Sequence, residues 1–178
     1  TELLTSDRME NLFAHGKIRT RSGRYLDAFT TNPDDIVIED IAHALSRIPR
    51  WAAHTHTFYS VAEHSLACLQ LAISRGLSPA LQLEALLHDA SEAYLLDMPK
   101  PWKVKMPEYQ SIEDGLMRVI AKRLGFSYPI DPLVKQIDQD QLVWEWENLV
   151  ISTPPEQERA PEFRKVRDQF LERYYQLV

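Results

Sequence analysis

The sequence predicts an all-α fold with a small β-hairpin near the N-terminus, and three observations carry that expectation. From Ile38 onward, apolar residues recur three and four apart rather than in alternation. Helix start and stop signals punctuate that stretch. Only one segment, Lys17 to Asp27, roughly alternates apolar and polar residues, and it does so around a turn dipeptide, Ser22-Gly23.

In chain order, Thr1 to Ala14 spaces Leu4, Met9, Leu12 and Phe13 as a short amphipathic helix would. The hairpin follows, within about residues 16–30. Its basic residues Lys17, Arg19, Arg21 and Arg24 read as a solvated face, or as a phosphate-reaching group across an oligomer interface. A helical core is expected over about residues 38–150. Ile41, Leu45 and Ile48 mark one face of its first helix, which Pro49 helps to end. Ser60 and Glu63 form a capping-box pattern, in which each side chain satisfies a free amide of the next helix. That helix carries Val61, Leu66, Leu69 and Ile73 and closes at Gly76.

Pro79 opens the helix expected to hold Leu83, Leu86, Leu87 and the pair His88-Asp89. Pro99, Pro101 and Pro107 predict an extended connection. Ser111 to Leu124 is a further helix, stopped at Gly125, and a long one follows Asp131-Pro132. Pro154-Pro155 separates it from a final polar helix over about residues 155–175.

The length, 178 residues, suits one domain spanning 1–178 with a full core. No long apolar run or leader pattern occurs, so a soluble, cytoplasmic protein without a membrane partner is expected. A net charge of -6 argues against a nucleic-acid polymer as partner, although a locally basic pocket would still accept a small phosphorylated molecule. The one cysteine, Cys68, excludes a disulfide framework within the chain and a cysteine-built zinc site, and reads as a small core residue.

His88-Asp89 is the most informative feature. Two adjacent polar side chains on a leucine-rich segment are hard to explain as packing, because a buried polar group costs a few kcal/mol unless it is paired. His64 upstream and Asp138 downstream complete a set of two imidazoles and two carboxylates. That set suits a borderline or hard divalent transition metal such as Mn, Co, Fe or Zn, one per subunit. Alone, each of these residues would be an ordinary surface or hydrogen-bonded group.

The order His64, His88-Asp89, Asp138 on helices resembles the HD superfamily of metal-dependent phosphohydrolases. The resemblance runs roughly from Ile38 to Val150 and extends to Arg50-Trp51, to Ser60 through Ser65, to Glu92, and to Asp97 through Lys103. These stretches look like the bacterial 5'-deoxynucleotidase branch, and compact phage dNTP triphosphohydrolases are also similar. Two segments lie outside the nucleotidase pattern: Ala53 to Tyr59, with its extra His54 and His56, and Lys17 to Pro33.

The resemblance implies an HD-type helical bundle in which His64, His88, Asp89 and Asp138 hold the metal. The helical face also selects Asp138 over Asp140, since Asp138 shares a stripe with Val134, Leu142 and Leu149. Glu145, further along that stripe, either orients a neighbouring ligand or forms a buried ion pair. Glu92, one helical turn from His88, is placed as the acid or base, with Asp89 at the reacting centre. Arg50 suits a bidentate clamp on phosphate. Trp51, Asp97, Lys103 and His54 are the remaining substrate contacts, against bland readings as core, helix-end or solvated residues.

The expected activity is hydrolysis of a (deoxy)nucleoside 5'-monophosphate to nucleoside and phosphate. Release of triphosphate from dNTPs is the enzymatic alternative, and a nucleotide-binding scaffold with a vestigial site is the other. A homo-oligomer, a dimer first, is the expected assembly.

Overall fold

The computed structural model describes residues 16–178. The expected helix over Thr1 to Ala14 lies outside them. The described chain is all-α with one two-stranded antiparallel hairpin, β1 (Ile18–Arg19) and β2 (Tyr25–Leu26). The hairpin tip is fastened to the bundle rather than free. The backbone N–H and hydroxyl of Ser22 donate to the buried Asp40 carboxylate at 2.7 and 2.6 Å.

Eight helices follow: α1 (Ile38–Leu45), α2 (Val61–Ser74), α3 (Pro79–Leu87), α4 (Glu92–Leu95), α5 (Lys100–Lys103), α6 (Pro107–Leu124), α7 (Pro132–Glu145) and α8 (Phe163–Leu177). The capping box at Ser60 is formed, with both reciprocal bonds present. Each such cap is worth about 1 kcal/mol. Gly76 and Gly125 end α2 and α6 in the left-handed region, at φ of 69° and 79°, where a side chain would be strained.

α2 and α3 form the centre. Their short connection and the meeting of His64, in the first turn of α2, with His88, just past the end of α3, mean that they run antiparallel. The main core gathers Ile41, Leu45, Leu69, Leu86, Leu87, Ile120 and Phe170. A smaller one joins Cys68 and Ala72 of α2, Ala85 of α3 and Val134 and Ile137 of α7. The second core sets the register of α7 against the α2–α3 pair, and so decides where Asp138 arrives.

Five expectations are corrected. α3 stops at Leu87, so His88-Asp89 does not ride on a continuous helix. His88 Nδ1 donates to the Ala85 carbonyl at 2.8 Å, and the chain tightens into i to i−3 bonds from Glu92 N–H to Asp89 O and from Ala93 N–H to Ala90 O. The prolines of the connection open helices instead of enforcing an extended path. Pro101 lies in the first turn of α5, and Pro107 starts α6 ahead of the expected Ser111. A first-turn proline lacks only an N–H that would be unpaired anyway. The last helix begins at Phe163, not near residue 155, and it is not polar all round: Val166, Phe170 and Tyr174 are buried.

Candidate metal centre

Three elements bring their ends to one point. The capping box fixes the first turn of α2, which presents His64, fully buried. The end of α3 presents His88 and Asp89. α7 presents Asp138 and, two turns on, Glu145.

The Nε2 atoms of His64 and His88 are 3.2 Å apart. Asp138 Oδ1 lies 3.1 Å from the first and 3.7 Å from the second. Asp89 Oδ2 lies 3.6 and 3.3 Å from the same two atoms. All four residues expected as ligands therefore converge.

The hydrogen bonds at the outer edge of each ring decide what faces inward. His88 Nδ1 meets a carbonyl and His64 Nδ1 meets Glu145 Oε1 at 2.5 Å. Both partners accept, so both Nδ1 atoms carry hydrogen, and Nε2 of each ring, a bare lone pair whenever the ring is neutral, faces the other. Two lone pairs and two carboxylates at such distances repel unless something positive sits among them.

The electrostatics agree. At His88 burial opposes charge, yet the Asp89 and Asp138 carboxylates override it and hold the imidazole well above its ordinary range. At His64 burial and Arg50 oppose charge, and Cys68 and Asp138 override them. Burial would raise Asp89 and Asp138, but the two imidazoles hold both well below the usual carboxylate range. Protons can supply the positive charge in the metal-free protein. A divalent cation supplies it at distances these donors already fit, so a metal fits the site.

Cys68 belongs to this group, although the sequence reading put it in the core. Donor atoms of His64, Cys68, His88 and Asp138 all lie within 4.8 Å of one another. Its i, i+4 spacing from His64 was the signal available in the sequence.

Arg50 is buried with its guanidinium between carboxylates. Nε and Nη2 are each 3.2 Å from Glu145 Oε2, and Nη1 is 3.6 Å from Asp97 and 3.8 Å from Asp89. Trp51 Nε1 donates to the same Glu145 oxygen at 2.9 Å, and its ring packs against Trp146 with centroids 5.6 Å apart. Arg50 and Trp51 thus converge on one atom of the protein. The backbone that achieves this is strained: Trp51, Ala52 and Ala53 all have positive φ, at 57°, 50° and 65°. Left-handed non-glycine residues cost about 1–2 kcal/mol each.

Glu92 is 4% exposed. Its Oε2 is buried without a hydrogen-bond partner, while Oε1 lies 3.9 Å from Lys103 Nζ. Burial first, then the Asp89 and Asp97 charges, push its carboxyl well above the ordinary range. Burial also raises Asp97, opposed by Arg50. Lys103 is anchored by Glu113 of α6 at 2.7 Å. Asp97 and Lys103 thus border the centre.

The two extra histidines part company. His54 is exposed, and its ring makes no hydrogen bond among the described residues. His56 pins its loop to residues 146–152, through Nε2 to Ser152 O at 2.5 Å and its N–H to Leu149 O at 2.9 Å. Asp140 points away from the centre and pairs with Arg75 at 2.6 Å. None of the helices among the described residues is long and apolar enough to cross a membrane.

No family model matches the chain. It is 40% identical over 132 residues to "Uncharacterized protein YfdR" of Escherichia coli (strain K12), a match covering 74% of this chain and 71% of that protein. It is 39% identical over 123 residues to "Uncharacterized protein RCAP_rcc00048" of Rhodobacter capsulatus, covering 66% of this chain and 63% of that protein. With that extent and identity, and a helical scaffold converging on a His, Cys and Asp cluster, the chain belongs to the family of the Escherichia coli protein YfdR.

Proposed function

We propose that this protein is a metal-dependent phosphohydrolase of the HD type, hydrolysing (deoxy)nucleoside 5'-monophosphates to nucleoside and phosphate. The observation that carries the reading is the convergence of His64, His88, Asp89 and Asp138, with an arginine and an unpaired buried glutamate beside them. A divalent cation held there supplies charge to polarise a phosphoryl oxygen and to acidify water.

The chain's own residues do the rest. The Nε and Nη2 edge of Arg50 is taken up by Glu145, so the bidentate clamp expected from the sequence is not free, and Nη1, between Asp89 and Asp97, offers a single donor group and a permanent charge to the phosphoryl oxygens. Glu92 Oε2, buried without a partner in a side chain close to Asp89 and Asp97, is the group able to move a proton between attacking water and leaving alkoxide. Lys103 keeps a positive charge near Glu92 and contributes to holding an anionic substrate. Asp97 is placed to accept from a sugar hydroxyl, and Trp51 offers an aromatic face at the rim.

The test is product identity from a panel of nucleoside mono- and triphosphates with Mn²⁺ or Co²⁺. Inorganic phosphate from monophosphates supports the reading. Intact triphosphate from dNTPs replaces it with the triphosphohydrolase reading, and no turnover of any member with metal bound removes the enzymatic one.

A further inference from the structure

We infer that Cys68 is a direct ligand of the metal, closing the floor of the site with a thiolate. The inference rests on the metal-binding reading above and adds a donor that the His, His-Asp, Asp pattern does not contain. Cys68 lies one helical turn beyond His64 on the same face of α2, so its side chain projects beneath the imidazole. Its Sγ is 3.5 Å from His64 Nε2, the ring nitrogen facing the centre, and within 4.8 Å of the His88 and Asp138 donor atoms.

Metal bonds of about 2.0–2.1 Å to nitrogen and 2.3 Å to sulfur place neighbouring tetrahedral donors roughly 3.3–3.6 Å apart. The separations around His64 Nε2 are 3.1, 3.2 and 3.5 Å to Asp138, His88 and Cys68: the sulfur lies within that range and the other two within about 0.2 Å of it. A merely packed cysteine would keep its sulfur among carbons. Ala72, Ala85, Val134 and Ile137 surround this one on its outer side, and the polar side of its environment is the cluster.

On binding, the sulfur–metal bond forms as the thiol hydrogen leaves to solvent, in addition to any proton that the metal displaces from the imidazole Nε2 atoms. Asp89 and Asp138, partly exposed, stay at the mouth, while the fully buried sulfur is sheltered from water. A soft donor at that position favours Zn²⁺, Co²⁺ and Fe²⁺ over Mn²⁺ and Mg²⁺.

Cobalt reports this directly, because Cys68 is the one cysteine of the chain. The metal-free full chain is titrated with Co²⁺ and its absorption recorded, beside Cys68→Ser and Cys68→Ala. The expected result is a sulfur-to-cobalt charge-transfer band in the near ultraviolet, together with the weaker visible bands of bound cobalt. Both variants should lose the first and keep the second. Zn²⁺ affinity, measured by chelator competition, should fall by about 10–100-fold, at least what loss of a ligand's supporting partner costs, with Mn²⁺ affinity changing far less. Melting curves of the metal-free variants control for folding, and the alanine variant avoids burying a hydroxyl. Visible bands without the charge-transfer band in the parent protein overturn the inference and leave the metal reading standing. Absence of any cobalt binding overturns both.

Discussion

Glu145 Oε1 accepts the Nδ1 hydrogen of His64 at 2.5 Å, and this contact turns the opposite ring nitrogen toward His88 and Asp138 in the candidate metal centre. The same carboxylate accepts from Arg50 and Trp51 through its other oxygen. Burial would raise Glu145, yet His64 and Arg50 hold its carboxyl below the ordinary range, so it stays ionised. Glu145→Gln keeps the size of the side chain and loses the charge. Supporting partners of metal-bound histidines typically contribute about 10–100-fold in affinity, and a loss of that size is expected here for Mn²⁺, measured by chelator competition. Unchanged affinity in a folded variant would show that His64 holds its orientation without Glu145.

Asp138 and Asp140 sit two residues apart on α7 and should behave oppositely. Asp138 Oδ1 reaches both imidazoles, whereas Asp140 is tied to Arg75 and Gln136 at the surface. Asp138→Ala should empty the site, seen as metal per protein by elemental analysis, and abolish turnover. Asp140→Ala should leave metal content and rate as they were. The reverse pattern would mean that α7 is placed one register step off.

Most of the helices were legible because each rests on a local rule, apolar periodicity or a capping box, while the grouping of His64, His88, Asp89 and Asp138 was legible through the resemblance to the HD pattern and through a histidine out of place on an apolar face. Asp138 was separable from Asp140 by its helical face together with the resemblance to the HD pattern. The end of α3 at Leu87 was not, since the bond from His88 Nδ1 to the Ala85 carbonyl and the tightening after it depend on where the ring is held. The prolines misled for a plainer reason: a proline forbids a helix interior and favours its first turn, and sequence alone does not say which position it holds. The hub role of Glu145 joins residues 94 and 95 positions away, beyond any periodicity. Cys68 was read as core because a buried cysteine usually is, and its burial is confirmed; what faces it is a product of packing α2 against α3 and α7.

Glu92 separates chemistry from metal binding. Glu92→Ala should retain the metal, because the carboxylate is not among the proposed ligands, and lose roughly 10²–10⁴-fold in turnover through the missing proton transfer. The comparison is made at equal metal content. A rate equal to that of the parent protein would take Glu92 out of the reaction.

Glu84 gives the pH dependence a structural origin. It is 2% exposed on α3 and accepts the backbone N–H of Asp131, the N-cap of α7, so it helps to fix the helix that delivers Asp138. Burial is the larger influence and raises its carboxyl above the ordinary value of 4.5, partly opposed by the Asp131 N–H. As pH rises past that value the unfolded chain loses the proton first, and the folded state is progressively penalised until its own, higher pKa is passed. Glu84→Gln has no proton to lose. The melting temperature of the variant relative to the parent, both metal-free, should therefore climb as pH increases through that interval and then level off. A difference that stays flat, or falls as pH increases, would show that Glu84 is no harder to ionise in the folded protein than in the unfolded chain.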